Sequence, residues 1–387
     1  MWNVFLTGAT GFLGGEIAVA LSKLDSVGKI ACLVRSKEDC EAVDRLERVF
    51  ALHEDLYDPR KVIAVRGCLN DEKLSVDLTR HPALSDINLV IHSGANTSFL
   101  SQKYAAVAET NINGTQRIAR WASGLKSLES FAFIGTATIA GAGHDVVGRT
   151  IYEDESPSEA ARHLVGYTQS KMLAEIAVRN IFPAEKLAVI RPSILVGDSR
   201  CVVPRSFDIA WIIVALRHLR MFFGDPDASC DIIPVDYAAD AIVKLLTGPR
   251  RRTTYHVSAG AASTTCRNII DTVVNHDSGV PDFVYSGGEQ LNHLKKWLRT
   301  GKSPHPALAR YSRQLEYIHY GIGRKKARML LSGLDAYWKF IDLDQRFDNT
   351  RLLEDTGIGL PEPAHNYLGR TAMYFGDLDP LEAAVNP

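Results

Sequence analysis

Cysteine, net charge and long apolar runs are all scarce in this sequence, and each shortage removes a class of protein. The cysteines are Cys32, Cys40, Cys68, Cys201, Cys230 and Cys266, with no C-x-x-C pair and no Cys/His cluster at metal-ligand spacing. No metal site is therefore expected, and a reduced protein of the cytoplasm is the natural reading. The first residues, "MWNVFLTGAT", enter a strand-like run with no basic region or long apolar segment ahead of it, so no secretory leader is expected. No stretch approaches the roughly 18 apolar residues that a membrane helix needs, so no membrane span is expected either. Lys and Arg total 44 against 45 Asp and Glu, a formal net charge of −1, which gives no support to a nucleic-acid binder. No internal repeat, low-complexity tract or flexible linker is visible.

What remains is a chain of 387 residues with 46% hydrophobic and 23% charged content, ample for one large domain or two modest ones. Its first 200 residues alternate β-rich runs with longer helix-like segments, the rhythm of a parallel sheet with crossover helices. Strands are expected at "NVFLT" (3–7), "KIACLV" (29–34), "VIAV" (62–65), "NLVIHS" (88–93), "SFAFIG" (130–135) and "KLAVIR" (186–191), with helices over 12–24, 37–50, 103–124 and 167–181. These strands are nearly continuous apolar runs, as central strands covered on both faces must be. After Pro192 the rhythm changes. A helix is expected over 205–223, another after the loop that opens "DIIPVDYAADAIVKLLTG", and a strand returning to the sheet at "TTYHVSAG" (253–260). Helices and loops then dominate. The expected division is a dinucleotide-binding domain over 1–200, with a returning segment near 230–260, and a smaller, mainly helical lobe over 201–387 interleaved with the sheet.

"TGATGFLGG" (7–15) lies between the first expected strand and the first expected helix, with Gly8, Gly11 and Gly14 at G-x-x-G-x-x-G spacing. Such glycines permit a tight turn, close approach of a pyrophosphate to the backbone, and hard packing of helix on strand. The helix N-terminus then offers free N–H groups to phosphate. The second strand ends "LVRSK", so Arg35 stands where a carboxylate would favour NAD, with Lys37 close behind. A guanidinium there suits a 2′-phosphate, and NADPH is the expected cofactor. The bland alternative for Arg35 is a solvated residue after a strand.

Several further motifs agree with one family. "TGATGFLG", "SGA" (93–95), "NINGT" (111–115), "TATIAG" (136–141), "YTQSK" (167–171) and "RPSILVGDS" (191–199) occur in the order found in the extended short-chain dehydrogenase/reductases, which this chain resembles over about residues 3–260. The resemblance implies a Rossmann-like, doubly wound α/β fold. It also implies a cofactor site made by Gly8, Thr10, Gly11, Phe12, Leu13, Gly14, Arg35, Lys37, Leu69, Gly94, Ala95, Asn111, Tyr167, Lys171, Pro192 and Ile194, the last through its backbone. Asn111 is carried over as a structural or proton-relay residue. "IHSGANTSF", "RPSILVGDS" and "IIPVDYAADAI" resemble the thioester reductase and fatty acyl-CoA reductase branch, in which NADPH reduces an acyl thioester held on a carrier protein or on coenzyme A.

Tyrosine and lysine four apart share one helix face, and taken alone such a pair is usually a surface pair. Downstream of a cofactor loop it reads as a proton donor and its tuner. A free phenol has a pKa near 10, and an adjacent ammonium is expected to lower it. Thr136, just past the fifth strand, lies at the carboxyl edge where such sheets bind ligands. Thr136 and Tyr167 are thus the expected donors to a carbonyl oxygen that becomes negative on hydride attack, with Lys171 as the third catalytic residue. Collapse of the hemithioacetal would give a thiol and an aldehyde; the sequence leaves open whether a second hydride carries the aldehyde to an alcohol. His92 is read as a core histidine.

Charge is uneven. Between 291 and 330, ten Lys and Arg face only Glu316, a local net of +9 that leaves −10 for the rest of the chain. This suits an acidic carrier or the phosphates of coenzyme A, though a solvated helical surface explains it equally well. With no carrier or adenylation segment ahead of Met1, a stand-alone polypeptide is expected. Two alternatives stay open: another extended family member acting on nucleotide sugars or hydroxysteroids, and a non-catalytic NADP(H) sensor. Oligomeric state is not readable.

Overall fold

The computed structural model describes residues 1–201, 211–274, 279–372 and 374. Strand and helix alternate first as β1 (Trp2–Thr7), α1 (Phe12–Ser22), β2 (Val27–Val34), α2 (Asp39–Leu52), β3 (Val62–Arg66), α3 (Leu74–Arg80) and β4 (Leu89–His92). Then come α4 (Tyr104–Ala108), a π-helical turn (Glu109–Gly114), α5 (Thr115–Ser123), β5 (Ser130–Ile134), the short β6 (Thr150–Ile151), α6 (Gly166–Ile181), β7 (Leu187–Pro192) and β8 (Ile194–Leu195). The remainder is α7 (Trp211–Leu219), β9 (Met221–Phe222), β10 (Ser229–Cys230), β11 (Ile232–Ile233), α8 (Val235–Thr247), β12 (Thr254–Val257), β13 (Thr264–Thr265) and α9 (Cys266–Val274). It ends with β14 (Val284–Tyr285), α10 (Gly288–Thr300), α11 (Ser312–Tyr317), α12 (Arg324–Ile341), β15 (Arg346–Phe347), α13 (Thr350–Thr356) and α14 (Ala364–Ala372).

Seven of these strands form one parallel sheet in the order β12-β7-β5-β4-β1-β2-β3. β5 ("SFAFI") is buried along its whole length, because helices cover both faces and leave no polar side for alternation. Ile17 of α1, Leu46 of α2 and Ile242 of α8 belong to the core on one face; Leu78 of α3, Ile118 of α5 and Val178 of α6 belong to the core on the other. β1 has β4 on one side and β2 on the other. The winding direction therefore reverses at β1, and the crevice for a ligand opens at the carboxyl ends of β1 and β4.

A second hydrophobic core joins α7, α9, α10, α11, α12 and α14 through Leu216, Val273, Leu294, Leu315, Leu334 and Leu368. The architecture is thus a Rossmann-like α/β sheet with a mainly helical C-terminal portion. Among the described residues no helix is long and apolar enough to cross a membrane.

Two expectations need correction. The helix expected over 205–223 has its first part, 205–210, outside the described residues; α7 then ends at Leu219, and the left-handed Arg220 (φ 55°) turns the chain into β9. The reading of wholly reduced cysteines fails at Cys230 and Cys266, which form a disulfide with a Cα–Cα separation of 5.6 Å. They lie 36 residues apart and meet through the antiparallel pairing of β10 with β13, which no local spacing reveals. Cys32, Cys40, Cys68 and Cys201 are free.

Candidate active site

The glycine turn links β1 to α1. Gly8 takes φ +79°, and a Cβ there would sit 2.8 Å from the Gly94 nitrogen, so the β1 and β4 turns touch backbone to backbone. A Cβ on Gly14 would fall 2.1 Å from the Gly8 carbonyl oxygen. α1 starts at Phe12 with no side-chain cap. The N–H groups of Phe12, Leu13 and Gly14 therefore have no acceptor within the helix and face the end where a phosphate is favoured. This cradle, which a side chain would fill, fits a dinucleotide pyrophosphate. Leu69 lies against Gly94 and Gly114, and Ala95 follows Gly94 at the same edge.

Arg35 is exposed at the end of β2. Arg45, on α2, donates to the Arg35 carbonyl, and its other terminal nitrogen lies 3.4 Å from the Thr10 hydroxyl. Arg66 donates to the Lys37 carbonyl at 2.7 Å and pairs with Asp39 at 3.2 Å. Four cations therefore gather where sequence reading placed two. Arg45 and Arg66 escaped that reading because α2 and β3, not chain proximity, bring them there.

Thr136 follows β5, its hydroxyl 3.0 Å from that of Thr138. Lys171 is buried and donates to the carbonyl of Ile134, at the end of β5, at 2.6 Å; its ammonium also lies 5.1 Å from the Phe133 ring centroid. That bond ties α6 to the strand end carrying Thr136. Tyr167 stands one turn earlier on α6, half-buried, with the Phe99 ring stacked 5.9 Å away. The electrostatics differ from expectation. Burial pushes the Tyr167 phenol up to about 12 and the Lys171 ammonium down to about 7. Desolvation alone moves both groups, so the expected lowering of the tyrosine by the ammonium is not seen here.

Asn111 lies in the π-helical turn. Its side-chain Oδ1 accepts from the Asn96 N–H at 2.7 Å, and its side-chain Nδ2 donates to the Asn96 carbonyl at 3.0 Å and the Ser170 hydroxyl at 2.8 Å. It thus pins the loop after β4 to α6. His92 is fully buried between the hydroxyls of Thr7, at 2.8 Å, and Thr115, at 2.9 Å. Burial, then the Lys171 charge, lowers its pKa to about 3, so it is a neutral core residue. Pro192 ends β7 beside Val257. The Ile194 N–H donates to the Asp231 carbonyl at 3.3 Å, while its side chain is 37% exposed.

One positioning pair was missed altogether. Arg191, fully buried on β7, holds Glu175 of α6 through bonds of 3.0 and 2.6 Å. A buried charge is stable only when so paired, and this pair fixes α6 against the sheet four residues beyond Lys171.

The family model described as male sterility protein matches residues 6–242. The non-canonical nonribosomal peptide synthetase cpsA of Aspergillus campestris is 30% identical over 256 residues, 63% of this chain and 24% of that protein. Fatty acyl-CoA reductase wat of Drosophila melanogaster is 26% identical over 277 residues, 62% of this chain and 53% of that protein. The chain spans a quarter or less of the length of the first curated relatives it matches. Among solved structures, the terminal R domain from the myxalamid PKS-NRPS biosynthetic pathway superposes with a TM-score of 0.72 at 22% identity, covering 97% of this chain and 90% of that one. That likeness shows the fold.

Proposed function

We propose, for a chain that belongs to the male sterility protein family and so to the reductase branch of the extended short-chain dehydrogenase/reductases, that it reduces acyl thioesters to aldehydes with NADPH. The observation that carries this reading is the bond from Lys171 to the Ile134 carbonyl, which ties the helix bearing Tyr167 to the strand end that leads into Thr136, on the same sheet edge as a glycine cradle that fits a nicotinamide dinucleotide. Support for a thioester comes from relatives named as a nonribosomal peptide synthetase and a fatty acyl-CoA reductase. Support for NADPH comes from the Arg35, Lys37, Arg45 and Arg66 cluster, since guanidinium groups clamp phosphate bidentately. The acyl donor is then a carrier-protein or coenzyme A thioester.

When bound, the nicotinamide supplies the hydride. Gly8, Gly11, Gly14 and the N–H groups opening α1 would hold the pyrophosphate, with Thr10, Phe12, Leu13, Leu69, Gly94, Ala95, Pro192 and Ile194 around the rest. The Thr136 and Tyr167 hydroxyls donate to the thioester carbonyl oxygen as it gains charge, which lowers the barrier. Tyr167 is protonated at neutral pH, as a proton donor must be, and its proton passes to that oxygen. Collapse expels the thiol and leaves the aldehyde. Lys171, held by the Ile134 carbonyl, keeps a cation beside the phenol whenever it is protonated.

The test is incubation with NADPH and acyl-CoA or acyl-carrier thioesters of several chain lengths, following thiol release and loss of nicotinamide absorbance. Tyr167→Phe should lower kcat by about a hundredfold or more, as expected for removal of a general acid, with NADPH affinity nearly intact. No turnover with any thioester would remove the proposal, and unchanged turnover in the variant would remove the tyrosine from it.

A further inference from the structure

A cleft of about 480 Å³ lies where the sheet edge at β12 meets the helical portion, and none of its lining residues belongs to the proposed active site. Its walls are β10, the turn after β12, β13, the start of α9, β15 and the chain entering α14. The volume falls within the roughly 300–1,000 Å³ of small-ligand sites. Covalent and backbone constraints fix these walls. The Cys230–Cys266 disulfide ties β10 to α9 directly beside Ser229 and Thr265, which both line the cleft. The turn after β12 opens at Gly260 with φ +52°, where a Cβ would fall 2.4 Å from the Asn349 Oδ1, and Asn349 itself donates to the Ser258 carbonyl at 2.9 Å. A site held in this way loses little freedom when a ligand arrives.

Three polar groups of the lining are left over by the fold. The Ser263 hydroxyl and the His365 Nδ1 are buried and have no hydrogen-bond partner among the described residues, although buried polar atoms nearly always have one. The Arg346 side chain is exposed and pairs with no acid among the described residues. Asp227, the acid of the lining, is already held by Arg267 at 2.9 and 3.3 Å, and the nearby Asp344 accepts the Ser229 N–H at 2.7 Å. What stays unspent is a guanidinium, a hydroxyl and an imidazole nitrogen, each able to donate. We infer that this cleft binds a small molecule bearing an oxyanion, a phosphate or a carboxylate, at a site separate from the reaction. The planar fork of Arg346 suits two oxygens of either group, while Ser263 and His365 donate to the others. Water would complete Ser263 and His365 but brings no charge to Arg346, so the two occupants differ at that residue. The inference stands independently of the thioester reading.

The experiment is hydrogen–deuterium exchange of the full chain with inorganic phosphate, acetate or glucose, at ionic strength matched by sodium chloride. Phosphate, acetate or both should slow exchange in peptides covering 260–268 and 344–348, and whichever protects names the class of anion. The concentration giving half of that protection should rise about tenfold or more in Arg346→Gln, as for loss of a charged hydrogen bond, and about threefold in Ser263→Ala. Arg346 is exposed, so its replacement leaves the fold intact. Phosphate held at the glycine turn would protect a different peptide, over 8–14, which keeps this result apart from any result for the cofactor. Three outcomes overturn the inference: no protection in the two segments by either anion, protection by glucose as strong as by the anions, or a half-protection concentration unchanged in Arg346→Gln.

Discussion

The Arg45 guanidinium joins two points of the cofactor edge: it donates to the Arg35 carbonyl and approaches the Thr10 hydroxyl. A charged hydrogen bond is worth about 1.5–3 kcal/mol, so Arg45→Ala should weaken NADPH by about tenfold or more relative to NADH, read from fluorescence titration of both cofactors. An equal loss for both would mean that Arg45 only braces the turn. His92 gives a prediction of a different kind. Its folded pKa, about 3, lies below its ordinary 6.5, so between those values the unfolded chain binds the proton and the folded chain does not. Stability is therefore lost as pH falls below 6.5. His92→Gln gives up two hydroxyl contacts but removes this acid penalty. Urea unfolding should show the gap between the two proteins narrowing by about 2 kcal/mol from pH 7 to pH 5, and a constant gap would mean that His92 takes up its proton in the fold as readily as in the unfolded chain. The sequence made the Tyr167–Lys171 pair legible because helix period alone aligns them. It could not make their titration legible, because that depends on how deeply α6 is buried against β5.

Elements were legible wherever composition forces them. β1, β2, β4, β5 and β7 announce themselves as apolar runs because the sheet is covered on both sides, and their observed limits differ from expectation by only a residue or two. The helix expected over 103–124 exists but contains the π-helical turn at Glu109–Gly114, which aims Asn111 at Asn96 and Ser170 and leaves no mark in periodicity. The two-residue strands β8 to β11 and β13 to β15 were invisible, since their pairing depends on tertiary contacts rather than on local pattern. At the start of α1, the geometry separates two glycines that the motif treats alike. A Cβ at Gly14 would sit 2.1 Å from the Gly8 carbonyl oxygen, but one at Gly11 would be 3.3 Å away. Gly14→Ala should therefore displace α1 from β1, cost about 1–3 kcal/mol and abolish NADPH binding, while Gly11→Ala should retain most of the stability. Equal denaturant midpoints for the two variants would show that the helix gives way more easily than this packing implies.

At the scale of the molecule, charge and hydrophobicity are distributed differently. The second core is apolar, yet its surface over α10 to α12 carries Lys296, Arg299, Lys302, Arg313, Lys325 and Arg328 exposed, while Lys295 is taken up by Asp335. α12 runs from this basic end to Tyr337 and Phe340, whose rings lie 5.3 and 5.7 Å from that of Phe99. Arg328 and Tyr337 are nine residues apart, about 14 Å along the helix axis, so a donor docked at the basic end lies one short arm from Tyr167. If an acidic carrier delivers the acyl group, encounter should be steered by this field. Its kcat/KM should then fall about tenfold or more between roughly 10 mM and 1 M salt, as the Debye length shrinks from about 30 Å to about 3 Å. The same acyl group on neutral N-acetylcysteamine should show almost no salt dependence. Lys325→Glu together with Arg328→Glu should remove most of the carrier's salt dependence, since both side chains are exposed and far from the reacting carbonyl. An equal response of carrier and neutral thioester to salt would reduce the basic face to a solvated surface.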